Sequence, residues 1–328
     1  MRLPCMRGVA ALTSSDRGNN SMRTIIQDIE THLHAIEQHK SLFIPSNFVE
    51  RVAALNRLEV HFIRRLKYLL YSHGYHTELA SLQQRSTRLQ HRLAAVNAAL
   101  FGQIRDQIIS GTHSPAGLRQ LFHTYLNPAL GDAPSSNLIF YFDSLDVFID
   151  GIFCINQVPE ETRPIQSEMV QYKATPARII FSLIDQVPFT ADDVLYDLGA
   201  GLGRIPLCVG LLSPAQAKGV EYEPAYCTFA QQRADRLNLS RVTFLSIDAR
   251  EADYTDGTIF FLYTPFTGKM LQDVLDRLRH EAQTRPITVA AYGPCTRDVA
   301  QQPWLNLCQP PQGLQDHSLA LFTTHKRK

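Results

Sequence analysis

The sequence lacks any hydrophobic run near the ~20 residues needed to cross a bilayer. Its apolar stretch Gly8 to Leu12 is too short for the core of a signal peptide. Cysteine pairs are absent as well: the six cysteines, at 5, 154, 208, 227, 295 and 308, are scattered with no Cys-x-x-Cys. That argues against a disulfide framework or a zinc site, and for a reducing, cytoplasmic setting. An excess of one charge is missing too, since the net charge is +1; no global field argues for nucleic acid. There is no internal repeat. What the chain does have is 328 residues with 45% hydrophobic content, enough for two domains with their own cores. A soluble protein is expected.

The amino-terminal half reads as helical. Residues 1–21 read as a disordered leader, and Met22 is an equally good start. Apolar residues recur at helical spacing from Phe48 through Val52, Leu55, Leu58, Phe62, Leu66 and Leu69, with Asn47 as N-cap. A second stripe runs from Leu82 to Ile108 and closes near Ser110-Gly111. Shorter helices are expected over Thr24–His39 and Ser114–Tyr125, followed by a loop, Asn127–Asn137. Nine of the twelve histidines precede residue 124. His32, His34, His73 and His76 lack metal-binding spacing, and Gly74 breaks the helix between the last two, so solvated side chains are the reading. The leucine stripes read as bundle core, with dimerisation through the helices left open. Within Leu138–Ile155, Asp143, Asp146 and Asp150 share one helical face, read as solvated or, alternatively, as a receiver for a cationic substrate group.

The second half changes character. Val194-Leu195-Tyr196 leads into Asp197-Leu198-Gly199-Ala200-Gly201-Leu202-Gly203-Arg204, a strand, a tight glycine-rich turn and a helix start. Further strands follow at Ala217–Tyr222, Val242–Ile247, Thr258–Tyr263 and Ile287–Tyr292, alternating with helical patterns. Three of these strands end on or beside an acid or a polar turn: Glu221, Asp248 and Tyr263-Thr264-Pro265-Phe266. Such alternation predicts a parallel, doubly wound sheet with ligands at the carboxyl ends of its strands. Leu305–Cys308 and Leu319–Thr323, separated by a proline-rich turn, predict a closing antiparallel hairpin. A nicotinamide fingerprint would want glycine where Arg204 stands.

The turn Asp197 to Gly203, taken with Gly219-Val220-Glu221 and Ser246-Ile247-Asp248-Ala249, resembles the class I (seven-stranded, Rossmann-like) S-adenosylmethionine-dependent methyltransferases over about residues 165–325. The resemblance implies an α/β fold with a doubly wound, mostly parallel seven-stranded sheet, here preceded by a helical domain. It implies S-adenosyl-L-methionine as cofactor. Asp197, Gly199, Ala200, Gly201 and Gly203 would lie against the methionine part, Glu221 would take the ribose hydroxyls, and Asp248 with Ala249 would meet the adenine. Tyr172 and Thr175, just before a helix that begins near Pro176, resemble the segment that covers the cofactor; locally, Thr175 also reads as the N-cap of that helix.

Specificity in this family sits at the end of the fourth strand. Tyr263 and Thr264 are the candidate catalytic or orienting residues there, with Pro265 and Phe266 contacting substrate. Methyltransferases acting on amide or exocyclic amino nitrogens often carry an acid or amide followed by two prolines at this point. Tyr263-Thr264 departs from that pattern, so a base, if needed, would come from Glu168 or Asp146. The expectation is a helical domain over 22–155, acting as lid, substrate platform or oligomerisation domain, and a methyltransferase domain over 165–328. The acceptor is expected to be a protein side chain or small molecule rather than nucleic acid. The alternatives are a non-catalytic adenosyl-binding scaffold that dimerises through its helices and, more weakly, a nicotinamide-dependent enzyme.

Overall fold

The fold is that of a computed structural model, which describes residues 14–73, 76–130, 143–308 and 317–324. It divides into two compact units, Met1–Ala98 with Asn137–Tyr141, and Ala99–Ser136 with Phe142–Lys328.

In the first unit, α1 (Ser14–Gln38) begins inside the stretch expected to be disordered; residues 1–13 lie outside the described residues. A 3-10 turn, Lys40–Phe43, precedes α2 (Phe48–Arg57), which passes through a π-helical stretch, Leu58–Ile63, into α3 (Arg64–His73). Helix α4 (Thr77–Ile109) follows. The apolar stripes meet: Ile29, Leu33, Leu58, Phe62, Leu66, Leu89 and Leu93 are fully or almost fully buried in one cluster. Asn47 stands before α2 as expected, but its side-chain amide donates to the Ser41 carbonyl (3.1 Å) and does not cap the helix. The turn is locked instead by the buried Arg51, which donates to Asn97 Oδ1 (2.6 Å) and to the Leu42 and Ile44 carbonyls. His76 is exposed, and residues 74–75 lie outside the described residues.

The boundary between the units falls inside α4, not near residues 155–165. Helices α5 (Pro115–Leu130) and α6 (Ser144–Phe153) belong to the second unit for a packing reason. The Phe122 and Phe148 rings meet edge to face at 5.1 Å, and Arg105 Nη1 donates to the Gly151 carbonyl (2.8 Å). Helix α5 runs into the loop expected over 127–137, whose remainder lies outside the described residues.

Seven strands, β1 (Val194–Leu198), β2 (Gln216–Glu221), β3 (Val242–Ser246), β4 (Ile259–Tyr263), β5 (Thr288–Tyr292), β6 (Asn306–Leu307) and β7 (Ala320–Thr323), form one sheet in the order β3-β2-β1-β4-β5-β7-β6. The first five are parallel; β7 runs antiparallel to β5, and β6 antiparallel to β7. This is the doubly wound, mostly parallel seven-stranded sheet with an antiparallel closing pair that the sequence predicts. Helices α7 (Ala177–Gln186), α8 (Arg204–Leu212), α9 (Pro224–Arg236), α10 (Gly268–Glu281) and α11 (Thr296–Ala300) complete the unit. Strand β1 is central and buried at every residue, as continuous apolar strands in parallel sheets are. Chain order reverses between β1 and β4, so the loops after them diverge and leave a crevice at the carboxyl ends.

Among the described residues no helix is long and apolar enough to cross a membrane, and no group of three or more potential metal ligands converges.

Candidate functional site

A cavity of about 320 Å³ opens at those carboxyl ends. Its lining includes Tyr172, Thr175, Asp197, Gly199, Ala200, Glu221, Asp248, Ala249, Tyr263, Thr264, Pro265 and Phe266, so twelve of the fourteen residues expected at the site come together. Gly201 and Gly203 do not line it. Gly203 (φ +83°) starts α8 in the left-handed region, and a Cβ there would lie 2.5 Å from Phe244 and 2.8 Å from Ala230. Its glycine is demanded by helix–sheet packing. Gly201 (φ +54°) lies under the Tyr172 ring, 2.3 Å from where a Cβ would sit.

The three expected acids occupy different states. Asp197 is buried and accepts no hydrogen bond among the described residues. Burial, with the nearby Glu221 charge adding to it, holds its carboxyl well above the ordinary range. Glu221 accepts the Gly201 amide (2.7 Å) and the Glu223 amide (2.8 Å). Burial also raises its pKa, and those amides oppose the rise. Asp248 is closed by Arg250, whose backbone amide and guanidinium donate to Oδ1 (2.8 and 3.0 Å) and whose Nη2 donates to Oδ2 (2.7 Å). That pairing lowers the Asp248 pKa.

The segment before α7 lines the cavity, and its amino-terminal end is tied to the loop after β4 and to the start of α10. Met169 bridges Phe266, and the Val170 amide donates to the Pro265 carbonyl (3.0 Å). Glu168 accepts the Lys269 (3.0 Å) and Met270 (2.7 Å) amides at the start of α10. It therefore caps a helix and is not a free base. Tyr172 packs edge-on to Tyr226 at 5.4 Å, and burial pushes its hydroxyl up to about 12.

Asp143, Asp146 and Asp150 are not a solvated face. Asp143 caps α6 by accepting the Leu145 amide (3.0 Å). Asp150 accepts Arg204 Nε (2.9 Å) and Nη2, and Asp146 accepts Arg204 Nη1 (2.7 Å). The same Nη1 donates to the Thr175 carbonyl (2.9 Å). Asp146 also accepts the Ala177 amide (2.9 Å), so it, not Thr175, caps α7; the helix starts one place later than expected, with Pro176 at the N-cap. Burial disfavours charge on Arg204, but the two carboxylates outweigh it and raise the guanidinium pKa; burial in turn raises that of Asp150. The aspartate spacing was visible in the sequence, but its partner, some 54–58 residues downstream, was not.

At the end of β4, Thr264 holds a left-handed backbone (φ +41°) that costs a β-branched residue roughly 1–2 kcal/mol. The turn repays this with three bonds: the Thr264 amide to Cys295 Sγ (3.3 Å), the Cys295 amide to Thr264 Oγ1 (3.1 Å) and that hydroxyl to the Tyr292 carbonyl (3.3 Å). Its hydroxyl thus shapes the turn and is not free for chemistry. Tyr263 differs: its ring packs 4.7 Å from Tyr292, and its hydroxyl makes no hydrogen bond among the described residues.

Glu223 was missed by sequence reading. It accepts the Ala225 amide (2.8 Å) as the N-cap of α9, the Thr162 amide (2.8 Å) and hydroxyl (2.6 Å), and the Arg163 amide (2.8 Å). Burial raises its pKa, but these donors outweigh burial and push it down to about 2.

No family model matches the chain, and no curated protein matches it. Among solved structures it is similar to an RNA methyltransferase from Salinibacter ruber in complex with S-adenosyl-L-homocysteine, at 21% identity, over 46% of this chain and 92% of that one, with a TM-score of 0.34. It is also similar to a precorrin-6y C5,15-methyltransferase from Geobacter metallireducens GS-15, at 17% identity over 47% and 91%, with a TM-score of 0.36. A third likeness is a putative S-adenosyl-L-methionine-dependent methyltransferase from Methanococcus maripaludis, at 10% identity over 46% and 84%, with a TM-score of 0.36.

Proposed function

We propose that the chain is an S-adenosylmethionine-dependent methyltransferase and that the cavity is its cofactor site. The observation that carries this is Asp197. A buried carboxylate with no hydrogen bond among the described residues is costly unless a cation reaches it. The methionine ammonium is such a cation, Glu221 suits a ribose diol, and Asp248 with Ala249 suits an aminopurine. A dinucleotide would instead set its pyrophosphate among Asp197, Glu221 and Glu223, three acids of one lining.

The cofactor supplies a sulfonium methyl that is already activated. The protein's work is then to bind, align and exclude water. Tyr172 and the tied segment from Glu168 cover the glycine turn. Thr264 bends the chain so that Pro265 and Phe266 form the wall beside Tyr263, whose hydroxyl orients the acceptor. Glu168, Asp146 and Thr264 are all engaged structurally, so the acceptor arrives nucleophilic or loses its proton to solvent. The structural engagement of Glu168 and Asp146, the two bases expected from the sequence, favours the second reading, a non-catalytic adenosyl-binding scaffold.

The test is calorimetric titration of wild type and Glu221→Ala with S-adenosylmethionine, S-adenosylhomocysteine and NAD. Binding of the first two, weakened at least tenfold in the variant, is expected; one charge-assisted hydrogen bond is worth about 1.5–3 kcal/mol. Folded protein that binds neither would sink the proposal, and turnover in a labelled-methyl screen separates enzyme from scaffold.

A further inference from the structure

The near-neutral charge of the whole chain conceals a segregation. Residues 1–98 hold thirteen Lys and Arg against seven Asp and Glu, a formal +6, whereas residues 99–328 hold nineteen against twenty-four, −5. Such asymmetry between two units points to a polyanionic partner for the basic one.

The basic residues are not spread evenly over that unit. On the outward face of α2, the π-helical stretch and α3 lie Arg57, Arg64, Arg65 and Lys67, all exposed. The one acid between them, Glu59, is bound by Arg64 (3.0 Å) and by Gln90 (3.1 Å). Arg57, Arg65 and Lys67 have no ion-pair partner among the described residues. Next to them stand Tyr68, 68% exposed, and Tyr71, 91% exposed. At i and i+3 on α3 the two share one side of the helix, about 4.5 Å apart along its axis. The opposite face, with Leu58, Phe62, Leu66 and Leu69, is already buried in the core of the unit. The exposed tyrosines are therefore not the edge of an unfinished core.

We propose that this helix face binds single-stranded nucleic acid, the cations on phosphates and the tyrosine rings stacked on unpaired bases. Cations interleaved with exposed aromatic rings are what single-strand binding requires, because every base presents a face to stack on. A duplex offers no unpaired base to such rings. Insertion into a bilayer needs Trp, Phe or Leu beside the cations, and the largest aliphatic side chain exposed on this face is Val60, at 37%. The proposal departs from the expectation, drawn from the neutral net charge and from seeing no interleaved basic–aromatic patch in the sequence, that nucleic acid is not a partner.

The test uses the full chain and fluorescence anisotropy of a short labelled single-stranded RNA of mixed sequence, across a salt series. A duplex of the same sequence and phosphatidylserine vesicles serve as the other arms. Binding to the single strand that weakens linearly in log salt is expected. Arg57→Gln, Arg65→Gln and Lys67→Gln together should flatten that slope by about 2, at ~0.7 per phosphate contact. Tyr68→Ser with Tyr71→Ser should weaken binding about tenfold or more while leaving the slope unchanged. All five positions are exposed, and circular dichroism melts check that the variants fold. No binding at low salt, equal binding by the tyrosine variant, or equal binding of the duplex would overturn the proposal; capture by vesicles without RNA binding would put a membrane surface in its place. The readout is binding alone, so the outcome is separate from that of methyl transfer.

Discussion

Replacing Arg204 with methionine tests the account of the site most directly. Its side chain is 9% exposed and joins Asp146 and Asp150 of α6 to the Thr175 carbonyl at the turn into α8. Arg204→Met leaves two carboxylates facing each other with no counter-charge. Breaking a buried pair from one side costs about 3–5 kcal/mol. At roughly 2–4 °C per kcal/mol for a unit of this size, Tm should fall by about 6–20 °C. The pH dependence carries the sign. Without Arg204 the folded protein holds a proton on Asp150 that the unfolded chain releases, so stability falls as pH rises above the ordinary aspartate value of 3.8. The loss relative to wild type should therefore be smaller at pH 5 than at pH 8. Adding Asp146→Asn and Asp150→Asn should recover most of it, because no unpaired charge remains and the side-chain carbonyl introduced at position 146 can still accept the Ala177 amide. The assay is urea unfolding followed by tryptophan fluorescence and far-ultraviolet circular dichroism at both pH values. A loss under about 1 kcal/mol, or one equal at pH 5 and pH 8, would refute the reasoning.

Asp197→Asn should stabilise the ligand-free protein above the ordinary carboxylate range while abolishing adenosyl binding. Its raised pKa means that stability falls as pH climbs from 3.8 toward the folded value, and differential scanning calorimetry with a ligand titration reads both effects. Gly201→Ala combines a φ of +54° with a Cβ 2.3 Å from the Tyr172 ring. It should cost at least 1–2 kcal/mol and displace that ring, which thermal melts and Tyr172 fluorescence quenching by ligand would report. Glu223→Gln should remove about 2–3 kcal/mol at neutral pH. In wild type this contribution is fully present above 4.5 and lost as pH falls toward 2, so acid titrations of the two proteins should converge near pH 2.

The fold was legible where information is local. Glycines at alternate positions after an apolar strand, acids closing the next strands and a proline-rich turn between two late strands each report backbone demands within a few residues. Those demands carried the sheet, its antiparallel closing pair and most of the cavity lining. The misreadings share one physical cause. Asp146 and Asp150 looked like a solvated face because a helix wheel cannot contain Arg204. Thr264 looked available because its partners, Tyr292 at the end of β5 and Cys295 just beyond it, lie some thirty residues downstream. Glu168 looked like a free acid until α10 placed two amides against it.

Sequence by itself determined the periodicities, the positive-φ turn and the order of strand and acid, since each follows from the covalent chain and its nearest neighbours. Tertiary structure decided which carboxylates are consumed and which is left over. That depends on desolvation and on donors brought from tens of residues away, so Asp150 is paired, Glu223 is capped, Asp248 is closed, and Asp197 alone of these faces the cavity without a protein partner. Charge was divided along the chain itself, +6 over residues 1–98 and −5 over 99–328, and folding decided which of those cations stand exposed beside Tyr68 and Tyr71 on one helix face.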